Sequence, residues 1–209
     1  MTEPKYRNQG LNRFLLEIVL NEWNTKSDLI YLYANDTVLD FYPKFNFITV
    51  KEPVYSKNLT NKTRGEIPQK LNMDEQKNRD FLYDYAQQSQ PCAKLAMQEN
   101  ADLVMFYCIT AHKDHVYYIK SLDAMVVATI ESQQLYLLDI FSKQAVTLED
   151  VIACFTNFPI TNVLLGFTRL DTESYQMTEL VSNDALFIQK NKTALFEENN
   201  LMFPLLSHA

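Results

Sequence analysis

The stretch Arg7-Asn8-Gln9-Gly10-Leu11-Asn12 near the start of this 209-residue chain has the form Arg-x-x-Gly-x-small, except that Asn12 is bulkier than the pattern. The unpaired N–H groups and dipole of a helix N-terminus attract anions, so such a loop can hold a pyrophosphate. Gly10 has no Cβ to keep a phosphate from the amides of Gln9, Gly10, Leu11 and Asn12, and Arg7 can add charge-assisted hydrogen bonds. The dipole contributes about 0.3–1 kcal/mol, so the directed amides and Arg7 carry more of the binding. Taken alone, the same hexapeptide is also an ordinary helix start after a glycine turn. A second group of residues follows at Asp40-Phe41-Tyr42-Pro43-Lys44-Phe45-Asn46-Phe47, where a tyrosine hydroxyl precedes a proline and can be aimed.

The elements that position these groups can be read from spacing. Leu11, Phe14, Leu15, Ile18, Val19 and Trp23 recur with helical period, which predicts one buried face, with Arg13, Glu17, Asn21 and Glu22 on the wet side. Residues 28–34 are apolar with strand character, and Asn35 or Asp36 can cap a short helix over 37–41. Pro43 stops that helix and places Tyr42 at its end. Another strand is predicted over 47–55.

Here the chain resembles the GNAT superfamily of N-acetyltransferases. Arg7-x-x-Gly10-x-Asn12 is similar to the family's acyl-CoA pyrophosphate loop. Tyr33-Ala34-Asn35 through Phe41-Tyr42-Pro43-Lys44-Phe45-Asn46-Phe47 is similar to its "N…FYxKxGF" stretch. Order, spacing and intervening elements agree. Asn12 stands where the family has Gly or Ala, and Asn46 where it has Gly between aromatic residues; Asn tolerates positive φ better than other non-glycine residues. The resemblance implies a coenzyme A thioester as acyl donor, bound by Arg7 and the amides of Gln9, Gly10, Leu11 and Asn12. It also implies Asn35 beside the pantetheine arm and Tyr42 as the acid that protonates the departing thiolate. A phenol of pKa about 10 suits that role, being protonated at neutral pH and close in acidity to a thiol. The strands and acceptor-binding helices that precede the loop in the family are absent here, so no general base is assigned. Met1 can be read as an internal methionine of a longer frame. The strand at 29–33 is expected to have an unpaired edge, which makes self-association plausible.

Composition bounds the rest. With 47% hydrophobic and 12% aromatic residues the chain can build a sizeable core, and a net charge of −7 disfavours nonspecific nucleic-acid binding. No apolar run reaches the ~20 residues of a membrane span, and residues 1–9 lack a signal-peptide core, so the expected location is the cytoplasm. Cys92, Cys108 and Cys154 are too widely spaced for a C-x-x-C pair and are expected to be small buried hydrophobes. Residues 51–79 are locally basic and read as part of a solvated linker. No metal is expected; His112-x-x-His115 with Asp114 reads as a solvated turn rather than a zinc site.

Beyond a linker at 58–73, helices are expected over 74–88 and 91–97. Strands are expected over 103–110, 116–119, 124–130 and 135–141, then a Thr147-capped helix over 148–155 and strands over 162–168 and 185–189. The order suggests a second, degenerate GNAT-like copy over 74–209, because its loop Phe141-Ser142-Lys143-Gln144-Ala145-Val146-Thr147 has no glycine. The tail after Leu195 stays apolar and is expected to dock, which opens a role as base for His208 or the terminal carboxylate. The fold class is therefore mixed α/β: residues 1–57 as the C-terminal half of a GNAT domain, then the second α+β domain. The implied activity is acetyl transfer from acetyl-CoA to a small-molecule or peptide amine by direct attack. The alternative is a noncatalytic GNAT-like interaction or scaffold module; a metal hydrolase using His112 and His115 is a third reading.

Overall fold

The computed structural model describes residues 3–60, 63–171, 173–182 and 184–208, apart from the side chain of Glu197. It divides into two compact units, Met1–Lys51 with Val181–Asn199, and Glu52–Leu180 with Asn200–Ala209. None of the described helices is long and apolar enough to cross a membrane.

The first unit contains helix α1 (Leu11–Trp23), strands β1 (Tyr31–Asn35) and β2 (Phe47–Val50), and helix α5 (Thr193–Asn199). Its sheet is completed by a strand from late in the chain, β10 (Asp184–Gln189), which lies antiparallel between β1 and β2. Ala34, Phe47 and Phe187 form its core, with Leu20, Leu32, Tyr42 and Phe45 packed around them. The apolar face of α1 is not buried as its periodicity predicts: Phe14 is 61% exposed, Leu15 59% and Trp23 48%. The residues turned inward are Leu16 and Leu20. Periodicity reports that a helix has an apolar face; whether anything covers it depends on the sheet beneath, and it is Leu20 of this helix that packs against the core formed by Ala34, Phe47 and Phe187.

The second unit holds a seven-stranded sheet in the order β4-β5-β6-β7-β8-β3-β9. These strands are β3 (Pro53–Asn58), β4 (Gln69–Lys70), β5 (Val116–Ile119), β6 (Ala124–Glu131), β7 (Gln134–Ser142), β8 (Asn162–Leu165) and β9 (Gln176–Glu179). All pairings are antiparallel except β7 with β8. Helices α2 (Gln76–Gln88), α3 (Ala101–Ile109) and α4 (Leu148–Phe155) complete the unit. One core cluster gathers Ile119, Val126, Leu137, Phe155 and Leu165; another gathers Leu82, Val104, Cys108, Met125 and Leu206.

Strand β3 follows β2 in the chain yet pairs between β8 and β9, and β10 follows β9 yet pairs between β1 and β2. Each unit therefore takes its inner strand from the segment that runs on from the other unit's edge strand. This exchange moves the division of the chain away from the boundary drawn at residue 57 and returns residues 181–199 to the first unit.

Three local expectations need correction. The run at 103–110 is helix α3, not a strand; Ala101, Val104 and Cys108 are buried while Phe106 and Ile109 stay 58% and 46% exposed, a helical alternation hidden in a uniformly apolar sequence. Residues 91–97 are not helical, because Ala93 bridges to Arg169 and the Lys94 N–H donates to the Thr168 carbonyl. The supposed linker at 58–73 contributes β4 and buries Leu71 and Met73. Within it Gly65 lies so close to α4 that a Cβ would stand 2.7 Å from Cys154 Sγ.

Candidate functional site

Gly10 is the N-cap of α1, with φ 73° and ψ 12°, in the left-handed region where glycine pays no Cβ penalty. Asn8 also has positive φ, 60°, so the chain winds sharply before the helix begins with the Phe14 N–H donating to the Gly10 carbonyl at 2.9 Å. The N–H groups of Leu11, Asn12 and Arg13 fall in the first turn and have no intrahelical acceptor. That turn carries no acidic residue. A Cβ built on Gly10 would meet nothing within 4 Å, so the space in front of the backbone is open. Gln9 is tied back by its own side chain, whose Nε2 donates to the Lys5 carbonyl at 3.0 Å.

The loop opens on a cavity of about 560 Å³ lined by Arg7, Asn8, Gln9, Gly10, Leu11, Asn12 and Arg13, with Thr37, Val38 and Phe41 opposite. An adjoining cavity of about 540 Å³ shares Asn12, Thr37, Val38 and Phe41 and continues to Tyr42 and Lys44. Arg7, Gln9, Gly10, Leu11 and Asn12 thus line the first cavity, and Tyr42 lines the second, to which Asn12 also belongs. Thr37, Val38 and Lys44 were not anticipated as walls; Lys44 lay inside the Phe41–Phe47 stretch, whereas Thr37 and Val38 carry no chemical signal in sequence.

Asn35 lines neither cavity. Its Oδ1 caps the short 3₁₀ turn Asp36–Val38, accepting from the Thr37 N–H at 3.0 Å, so it holds the opposite wall in place. Tyr42 begins a second 3₁₀ turn, Tyr42–Phe45, rather than ending a helix, and its ring packs 5.3 Å from Phe41 and 5.4 Å from Phe187. The turn closes at Asn46, whose φ is 67°, the backbone state for which Gly is the usual residue.

The start of α4 in the second unit is built differently. The N-terminus of α4 is capped by Thr147, whose Oγ1 accepts from the Asp150 N–H at 3.2 Å, and Glu149 and Asp150 fill its first turn with negative charge. Arg169 Nη1 is 3.1 Å from Glu149. The parallel pairing of β7 and β8 ends at Leu137 and Leu165. Beyond it the tail hydrogen-bonds along the end of β8: Leu205 N–H to the Gly166 carbonyl at 2.9 Å, and Met202 N–H to Thr168 Oγ1 at 2.8 Å. A Cβ on Gly166 would stand 2.9 Å from the Leu138 carbonyl oxygen and 3.2 Å from Leu205 Cδ1, so the close approach of the Leu138 backbone calls for glycine there. The apolar tail docks as its composition predicts, in the second unit, with Leu206 in the core. His208 belongs to the same unit, its Nε2 3.3 Å from the Phe203 carbonyl; Ala209 lies outside the described residues.

Burial pushes the Cys92 and Cys108 thiols up to about 12, so both are neutral. The His112 and His115 rings are 5.8 Å apart, and among the described residues no group of three or more potential ligands forms around them or elsewhere.

No protein-family model matches the sequence, and no curated protein matches it. In three dimensions the chain is similar to Eis1 from Mycobacterium abscessus, with 11% identity and a TM-score of 0.55 over 92% of this chain and 55% of that one. It is also similar to a conserved Enterococcus faecalis V583 protein described as a probable N-acyltransferase, at 13% identity and TM-score 0.49 over 93% and 54% of the two chains. For a GCN5-related N-acetyltransferase from Kribbella flavida the values are 12%, 0.46, 90% and 49%. The likeness to Eis1 concerns the fold alone, a mixed α/β one. The chain spans about half the length of these three structures.

Proposed function

We propose that the first unit carries the acyl-donor side of an N-acetyltransferase that moves acetyl from acetyl-CoA to an amine by direct attack, without a covalent enzyme intermediate. The observation that carries this reading is the glycine-capped, acid-free start of α1 opening on a cavity that adjoins the one lined by Tyr42. The first-turn amides of Leu11 and Asn12, with Gly10 allowing close approach and Arg7 adding charge, suit a pyrophosphate. Lys44 adds a further cation, and Asp40 a carboxylate, on the wall of the adjoining cavity. The thioester supplies the acetyl group. Tyr42 would give its proton to the departing sulfur as the C–S bond breaks, while Asn35 keeps the Asp36–Val38 wall in register.

The test is calorimetry of acetyl-CoA binding by this chain beside an Arg7→Ala, Gly10→Asp double variant. Micromolar binding lost in the variant supports the reading; no binding by the folded chain removes it. A second reading, a noncatalytic interaction module, draws support from the exposed apolar residues Phe14, Leu15 and Trp23 of α1. It predicts weak donor binding or none, and no acetylation of any amine in a broad screen.

A further inference from the structure

The second unit contains a cavity of about 340 Å³ between the C-terminal end of α2, the 89–100 loop, the start of α3, strand β7 and the tail. Several donors on its wall are committed within the protein. Asn100 Nδ2 donates to the Leu206 carbonyl at 3.5 Å, Ser207 Oγ to the Pro204 carbonyl at 2.7 Å, and Gln90 Nε2 to the Lys143 carbonyl at 3.2 Å. The Cys92 thiol donates to the Ile140 carbonyl at 3.7 Å. Gln87 and Gln98 add exposed side-chain amides, and the buried group left unmet is an acceptor. Asn100 Oδ1 is buried with no hydrogen-bond partner, and Asp139 and Glu99 add two carboxyl groups, one on β7 and one on the loop. No lysine, arginine or histidine is among the lining residues.

A buried acceptor without a donor costs about 1–3 kcal/mol, and a carboxylate withdrawn from water costs more unless it is paired. Burial raises the Asp139 carboxyl to about 7, with one oxygen held by the Ile140 N–H at 2.8 Å. A ligand that brings positive charge and N–H donors relieves both costs at once; an anion or a pure acceptor relieves neither. We propose that this cavity is a binding site for a small alkylammonium ligand, with its ammonium group between Asp139 and Asn100 Oδ1 and its alkyl part against Ala93, Val104 and Phe141. The site is distinct from the cavities in the first unit and does not depend on the function assigned there.

The experiment is a two-dimensional amide NMR titration of the full chain at pH 8 with n-butylammonium, and in parallel with butan-1-ol, which is nearly the same shape without the charge. The expected result is saturable shifts confined to residues 86–104 and 139–141 with n-butylammonium and none with butan-1-ol. Affinity should fall at least tenfold in Asp139→Asn. Asn100→Leu, which fills the same volume without the acceptor, should show a similar loss and decides the matter should Asp139→Asn fail to fold. Shifts scattered over the acidic surface, equal shifts with the alcohol, or an affinity unmoved by either variant would overturn the proposal.

Discussion

Replacing Asp139 with Asn should stabilise the chain at alkaline pH and do little at acid pH. The carboxyl rises from its ordinary 3.8 to about 7 in the folded protein because burial penalises its charged form. Below pH 3.8 it is protonated in both states and costs nothing. Between 3.8 and about 7 the folded state holds a proton that the unfolded state has released, so stability falls as pH rises, and above about 7 the full penalty is in place. At 1.36 kcal/mol per pKa unit, the rise from 3.8 to about 7 is worth roughly 4 kcal/mol. Asp139 is only half-buried, so solvent screening reduces the expected figure to about 2 kcal/mol. Asparagine keeps an acceptor for the Ile140 N–H. The facing thiols, Cys92 on the loop and Cys108 on α3, stay neutral across this window because burial raises both to about 12. Glu99 is the other carboxyl on the cavity wall, and Glu99→Gln is the control. Guanidinium unfolding of wild type and variant at pH 4 and pH 8.5 measures the difference. A gain of the same size at both pH values, or a loss at pH 8.5, would refute the reasoning.

Other outcomes follow from the same geometry. In Gly10→Ala nothing obstructs the new Cβ, so the cost is the positive φ alone, about 1 kcal/mol, read from denaturant midpoints. Gly166→Ala should cost more, about 2–3 kcal/mol, since its Cβ would meet the Leu138 backbone at 2.9 and 3.0 Å. Thr147→Ala removes the α4 cap and should cost about 1 kcal/mol by the same assay. In an assay that detects acetyl transfer, Tyr42→Phe should lower kcat about 100-fold with donor affinity unchanged, because the ring packing survives while the proton source does not.

Features that depend on a few neighbouring residues were legible in the chain. The glycine before α1, the Thr147 cap with its acidic first turn, and the need for positive φ at Asn46 all follow from local backbone chemistry, and each stands where the spacing puts it. The contrast between a glycine-capped start at α1 and a threonine-capped start without glycine at α4 was likewise local. What folding alone decided is pairing across long separations. The exchange of β3 and β10 brings Leu186 to Tyr33 and Ser56 to Leu164, and no residue near either strand announces it, because strand pairing is set by the register and burial of the whole sheet. Asn35 looked like a ligand contact because its side chain is polar at a strand end, but the following turn takes up its oxygen first. The face of α1 looked like core because period cannot reveal what lies above it. The cavity around Asp139 joins β7 to a loop some forty residues earlier and to the tail, and an aspartate amid apolar strand residues acquires its character only when those segments close around it.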